Sequence, residues 1–338
     1  MRTYFKFFLA LIAVFIAGTI FGGNMVWAHS DEHIRTPSPE VVSVKSERQR
    51  DDHDAALTSP LLDCTDTSQG LNDAEVIATK SAINDLIASR QKSGDITNAA
   101  VYYRDLTNGP WFGINEAQKF FPASLLKIPL AMSFYSKADT DPTVMTKMTK
   151  YVPDPSLALQ IQPYAPQKNV EAGKSYSTKE LITIMLQDSS NEAAVMLAEI
   201  AGITQIDSIY RDLGIPIPTP GHDYQIDTHT YSSFFRVLYN ATYLHRPASE
   251  EILQTLTSAD FPDGLVAGVP VDVVVSHKFG SRQVDQARSI VQLHDCGIIY
   301  AKNTPYILCV MTQGGDFNKL AGFIKDVSST VYKNVIAN

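Results

Sequence analysis

Ser124 and Lys127 stand three residues apart in Pro122-Ala123-Ser124-Leu125-Leu126-Lys127, at the head of an apolar stretch. Helical residues at that spacing share a face, which brings a hydroxyl and an amine within hydrogen-bond reach. An alcohol is a poor nucleophile at neutral pH until a base takes its proton. A lysine serves as that base when desolvation or a second cation lowers its pKa. Phe120, Phe121, Leu125, Leu126, Ile128 and Leu130 supply apolar surroundings. The spacing alone is not specific: Ser89-Arg90-Gln91-Lys92 repeats it on a polar stretch that reads as a solvated helix face.

Two later elements offer partners. In Asp188-Ser189-Ser190-Asn191 a second hydroxyl, Ser189, lies two residues before an amide, Asn191. A hydroxyl beside a serine–lysine pair can relay a proton to a leaving group, and an asparagine side chain can both accept from and donate to a substrate amide. Taken alone, this element also reads as a helix cap. In Ser276-His277-Lys278-Phe279-Gly280-Ser281 a lysine ends a β-rich run. An ammonium there can hold a substrate carboxylate and depress a neighbouring lysine, and Gly280 lets substrate backbone lie close to the strand. His277 alternates away from Lys278 and reads as structural.

The elements that must position these groups follow from pattern. Asn72 to Ser89 has apolar residues at helical spacing, with Asn72 as its cap. Ala99–Asp105 and Trp111–Ile114 flank Thr107-Asn108-Gly109, a hairpin signal. Ser177 to Ile200 reads as helical with a break at the Ser-x-Asn element, and Ser177-Thr178-Lys179-Glu180 is a capping box. Ile215 to Pro220 is a proline-punctuated loop, and Tyr231 to Leu244 reads as a helix. Strands are expected at Val271–His277, Ile290–Tyr300 and Tyr306–Gln313, before a last helix from Asn318 to Val335. Strands on either side of a helical block predict an α+β fold. Its antiparallel sheet is flanked by helices, with an inserted all-helical subdomain at about 126–254.

The chain has 338 residues, 44% hydrophobic and 19% charged, with a net charge of −8. That balance, without a Lys/Arg cluster, argues against nucleic acid as a partner. Arg2 and Lys6 precede an uncharged run from Phe7 to about Val26, read as a signal peptide or membrane anchor over 1–28. Either reading places the remainder outside the cytoplasm. Residues 29–66 lack periodic apolar positions and read as a disordered tether, leaving 67–338 as the catalytic domain. Cys64, Cys296 and Cys309 allow one disulfide and one free thiol, pairing undetermined, and no spacing suggests a metal or cofactor site.

The three elements together, in this order, resemble the penicillin-recognising serine hydrolases, in their class A β-lactamase-like branch. The resemblance spans about residues 70–338. It implies that Ser124 is acylated, that Lys127 is its base, and that Ser189 passes a proton to the leaving nitrogen. It further implies that Asn191 binds the substrate amide and that Lys278 supplies the positive field for a carboxylate. The backbone N–H groups of Ser124 and Ser281 would form an oxyanion hole, each donor worth roughly 3–4 kcal/mol of barrier.

Three positions depart from the family pattern. Ser190 stands where the family has aspartate. Phe279 replaces a threonine that helps bind the carboxylate, with Ser281 or Arg282 as its replacement. The loop ending at Asp227 carries no glutamate from Ala201 onward, so the group that would activate a deacylating water is missing. The expected function is β-lactam hydrolysis through an acyl-enzyme on Ser124. The alternatives are a D,D-carboxypeptidase or penicillin-binding enzyme acting on peptidoglycan stem peptides, and a non-catalytic envelope-binding domain.

Overall fold

The computed structural model describes residues 57–59, 74–107, 109–154, 162–219, 223–284, 289–302 and 304–336. The expected signal or anchor over 1–28, the cap Asn72, the turn residue Asn108 and Cys64 lie outside them. In chain order the elements are α1 (Ala74–Lys92), β1 (Asn98–Asp105), β2 (Trp111–Ile114) and β3 (Lys119–Phe120). A 3-10 turn, Ala123–Leu126, runs directly into α2 (Lys127–Ala138). Next come β4 (Met148–Lys150), β5 (Ser175–Ser177), α3 (Thr178–Gln187), α4 (Asn191–Asp212), β6 (Ile226–Asp227), α5 (Thr228–Tyr239) and α6 (Arg246–Leu256). The chain closes with β7 (Val274–Gln283), β8 (Val291–Tyr300), β9 (Tyr306–Gly314) and α7 (Phe317–Ile336).

β1, β2, β7, β8 and β9 form one antiparallel sheet in the order β2-β1-β9-β8-β7. Both of its faces are covered, and β8 and β9 are buried almost throughout. That is why these strands read as continuous apolar runs rather than alternating ones. One face packs against α1 and α7 through Ile83, Leu320, Phe323 and Ile324. The other packs against the inserted helices through Ile128, Phe134, Leu186, Phe234 and Phe235. Burying each such side chain contributes about 1.5–3 kcal/mol. The α+β architecture with its helical insertion is as expected from the sequence.

Element bounds differ in informative ways. β7 runs on to Gln283, so Lys278 lies in mid-strand instead of ending it. The hairpin register carries Ser281, Arg282 and Gln283 along opposite Leu293, Gln292 and Val291 although they are polar. The helix expected at Tyr231–Leu244 starts earlier, where Asp227 Oδ1 accepts the Thr230 N–H at 2.7 Å. It stops at Tyr239 because Ala241 turns left-handed (φ +47°). Within the expected tether, Leu57 is buried. Its N–H donates to Glu250 Oε1 at 2.8 Å and its carbonyl accepts from the Tyr300 hydroxyl at 3.0 Å. Residues 57–59 therefore dock on the domain.

Cys296 and Cys309 face each other across β8 and β9 and form a fully buried disulfide. The link closes a segment only 13 residues long, so its effect on the unfolded chain is worth about 3 kcal/mol. Reduced protein should be less stable than oxidised protein by about that amount in urea unfolding. Equal stabilities would mean that the pair remains dithiol in solution.

Candidate active site

The segment before Ser124 is held in an uncommon conformation. Ala123 has φ +49°, a left-handed value that costs a residue with a Cβ about 1–2 kcal/mol. Side chains i and i+3 eclipse in a 3-10 turn, and Ser124 in the turn and Lys127 just after it stand in that relation. β8 holds the entry to the turn. The Phe121 N–H donates to Gln292 Oε1 at 3.2 Å, and His294 Nε2 lies 3.0 Å from the Phe121 carbonyl. The Thr312 N–H donates to His294 Nδ1 at 3.2 Å. Nε2 must therefore carry the ring proton and donate it to Phe121. The Arg282 guanidinium lies 3.9 Å from the centroid of the Phe121 ring. From α5, the Tyr231 hydroxyl donates to the Leu125 carbonyl at 2.9 Å.

β7 lies against the same turn at Gly280. A Cβ there would meet the Pro122 carbonyl oxygen at 2.7 Å and the Leu125 side chain at 3.1 Å. The missing side chain makes room for the turn itself, where the sequence suggested room for substrate backbone.

Ser189 joins the two lysines. It occupies the break between α3 and α4 with φ +56°. Its hydroxyl lies 3.2 Å from Lys127 Nζ and 3.0 Å from Lys278 Nζ. Lys127 Nζ also donates to the Ser189 carbonyl at 2.5 Å and to Asn191 Oδ1 at 2.9 Å, while Lys278 Nζ donates to the Phe279 carbonyl at 3.0 Å. Both lysines are buried. Burial, then the neighbouring charge of Lys278, pushes Lys127 well below the usual lysine range, with Glu192 opposing. Burial lowers Lys278 to about 7, with Asp295 opposing. A neutral Lys127 amine keeps two N–H donors for its oxygen partners and has a lone pair left to take a proton.

The structure thus joins Lys127, Ser189, Asn191 and Lys278 by hydrogen bonds and packs Gly280 of β7, the neighbour of Ser281, against the turn that carries Ser124. Sequence reading missed their supports. Glu192, whose charge reaches Lys127, accepts from Asn169 Nδ2 at 2.9 Å. Asn169 comes from the loop before β5, and nothing local in the sequence ties that loop to α4. Gln292 and His294 belong to a strand that was legible, but their orientation depends on hairpin register. Among the described residues, no three His, Cys, Asp or Glu side chains gather as a metal site would need.

A family model for the beta-lactamase enzyme family matches residues 78–335. The chain belongs to that family. No curated protein matches it. Among solved structures, a point mutant of PBP-A, in an acyl-enzyme complex with penicillin G, is 17% identical with a TM-score of 0.63. That match covers 77% of this chain and 97% of PBP-A. The TLA-1 extended-spectrum β-lactamase is 17% identical with a TM-score of 0.66, covering 78% and 99%. A β-lactamase from Xanthomonas campestris pv. campestris is 20% identical with a TM-score of 0.64, covering 76% and 98%. Identities this low establish the fold, which is β-lactamase-like.

The departures from the family pattern have local explanations. Ser190 takes over as the cap of α4, its Oγ accepting the Ala193 N–H at 3.0 Å and donating to Asn169 Oδ1 at 2.6 Å. Phe279 points to the far face of the sheet, stacked on Phe261 at 4.6 Å and meeting Tyr164 edge-on at 5.7 Å. The ring still carries the Lys278 ammonium 4.1 Å from its centroid. His277 is structural, as expected, its Nδ1 2.8 Å from Asp295 Oδ1 in a buried pair. Asp227 pins the end of the glutamate-free loop beside the turn, because β6 pairs with β3 at Lys119↔Asp227 and Phe120↔Ile226.

Burial lowers His294 to about 4. Between that value and the ordinary 6.5 the unfolded chain binds the extra proton, so stability rises with pH across the interval and is lost as pH falls through it. About 3 kcal/mol should disappear between pH 6.5 and pH 4. His294→Gln, which retains a donor for the Phe121 carbonyl, should lose this acid sensitivity while keeping the turn in place. His294→Ala should lose both, measured by urea unfolding at two pH values. An unchanged pH profile in His294→Gln would exclude His294 as the source.

Proposed function

We propose that this chain is a serine hydrolase that β-lactams acylate at Ser124. One observation carries the reading: a single hydroxyl, Ser189, sits within hydrogen-bond distance of two buried lysine amines beside the Ser124 turn. Lys127, held well below the usual lysine range by burial and by Lys278, takes the Ser124 proton in its neutral form as Oγ bonds to the carbonyl carbon. The developing oxyanion is met by the backbone N–H groups of Ser124 and Ser281. As the C–N bond breaks, the proton passes from Lys127 through Ser189 Oγ to the leaving nitrogen. Asn191 aligns the substrate amide, and Lys278 supplies a positive charge for its carboxylate.

Deacylation is where two readings divide. The loop between α4 and β6 has no glutamate to activate water. That favours slow release, as in a penicillin-binding enzyme acting on D,D-peptides of the cell envelope. A β-lactamase proper would need another base. The N-terminal apolar run would export or tether the domain outside the cytoplasm.

Full-length protein mixed with a reporter penicillin, followed by hydrolysis and intact mass, separates these readings. The expected result is a persistent adduct on Ser124 with little turnover, abolished in Ser124→Ala. Rapid hydrolysis without an adduct would establish the β-lactamase reading instead. If neither occurred, β-lactam recognition would be refuted.

The acylation rate should also have a defined pH dependence. Lys127 has to be neutral, so the rate rises as pH climbs through its lowered pKa. Lys278 has to be charged, so the rate falls above about 7. Lys278→Arg keeps its charge at all accessible pH and should move the alkaline limb upward by more than a unit. A limb left in place would assign it to another group.

A further inference from the structure

A cavity of about 300 Å³ lies between α5 and the β1–β2–β9 end of the sheet. None of the residues that line it belongs to the Ser124 site, and the strands that contribute to it, β1, β2 and β9, lie two to four strand spacings from β7, or about 10–19 Å. At its base are Ile307 and Arg104, the latter only 3% exposed. Arg236 and Ser233, both half-buried, stand on the α5 side. The remaining wall is aromatic. The His229 imidazole stacks on the Trp111 indole at 5.4 Å and 23°, and Tyr102 lies within 5.7 Å of both rings.

Among the described residues, no carboxylate lines this space. Two guanidinium groups do, each with five N–H donors in a fork that matches an acid group. A guanidinium already engaged with protein acceptors still has donors to present. A flat ring would find aromatic faces to stack on, and the volume is at the small end for organic ligands. These features belong together in one kind of occupant.

We propose that this cavity binds a small organic anion, a single flat ring bearing a carboxylate. The acid group would reach Arg104 and Arg236, and the ring would lie against Trp111 and His229. The assignment is independent of the chemistry at Ser124, so Ser124→Ala protein should bind the same ligand equally well.

Trp27 and Trp111 are the two tryptophans of the chain. In full-length protein carrying Trp27→Phe, indole fluorescence therefore reports on Trp111. Benzoate is the probe, with its neutral analogue benzamide and with inorganic phosphate as comparisons, and calorimetry is the second measurement. Benzoate should give a saturable change with a millimolar or tighter dissociation constant. Arg236→Gln should weaken it about tenfold, as expected for one charge-assisted hydrogen bond, and Ser233→Ala should weaken it less. The proposal is overturned if benzoate gives no saturable signal by either method. It is equally overturned if Arg236→Gln binds as well as the parent, or if benzamide or phosphate binds as tightly as benzoate.

Discussion

Two positive charges buried on one hydroxyl are the constraint around which this molecule is arranged. Lys127 and Lys278 both reach Ser189 Oγ. Two ammonium groups in a low-dielectric interior cannot both be comfortable, and the cost is relieved when one gives up its proton. On Lys127, burial and the charge of Lys278 act in the same direction, both lowering its pKa. Lys278 is steadied by Asp295, which His277 and the Leu265 N–H hold in place. The repulsion that would destabilise an ordinary core here lowers the pKa of Lys127.

That arrangement requires three segments remote in sequence to meet within hydrogen-bond reach. The helical insertion supplies two of them: the head of α2 and the break between α3 and α4. The sheet supplies the third through β7. Two non-glycine residues in left-handed conformation lie in these segments: Ala123 opens the turn ahead of Lys127, and Ser189 occupies the break between α3 and α4. The strain is sustained by neighbours that over-determine the geometry, namely Gln292, His294 and Tyr231 around the turn.

The sequence was legible where one local pattern sufficed. The capping box at Ser177 and Glu180 forms as written, the hairpin of β1 and β2 pairs as its turn residues suggested, and the helix break at Ser189 is real. What was not legible depends on register or on contacts across the fold. The length of β7 is decided by its partner β8, so Lys278 moved from strand end to mid-strand. Phe279, noted as the replacement of a threonine in the family pattern, packs in the cluster on the α1 and α7 face because side chains alternate along a strand. The pairing of Cys296 with Cys309 needed the β8–β9 register, and the clamp on Phe121 needed both that register and the direction of two side chains.

β7 is also an edge strand, ten residues long and, among the described residues, paired on one side only, by β8. A long edge of this kind invites a second copy of the chain to add its own strand. Here the Ser124 turn sits against the middle of β7, close enough that Gly280 can carry no side chain. That contact runs along the Cβ direction, off the face of the sheet, so it leaves the backbone N–H and C=O groups of the β7 edge uncovered, and a chain that pairs with this edge comes to lie directly beside the turn that carries Ser124.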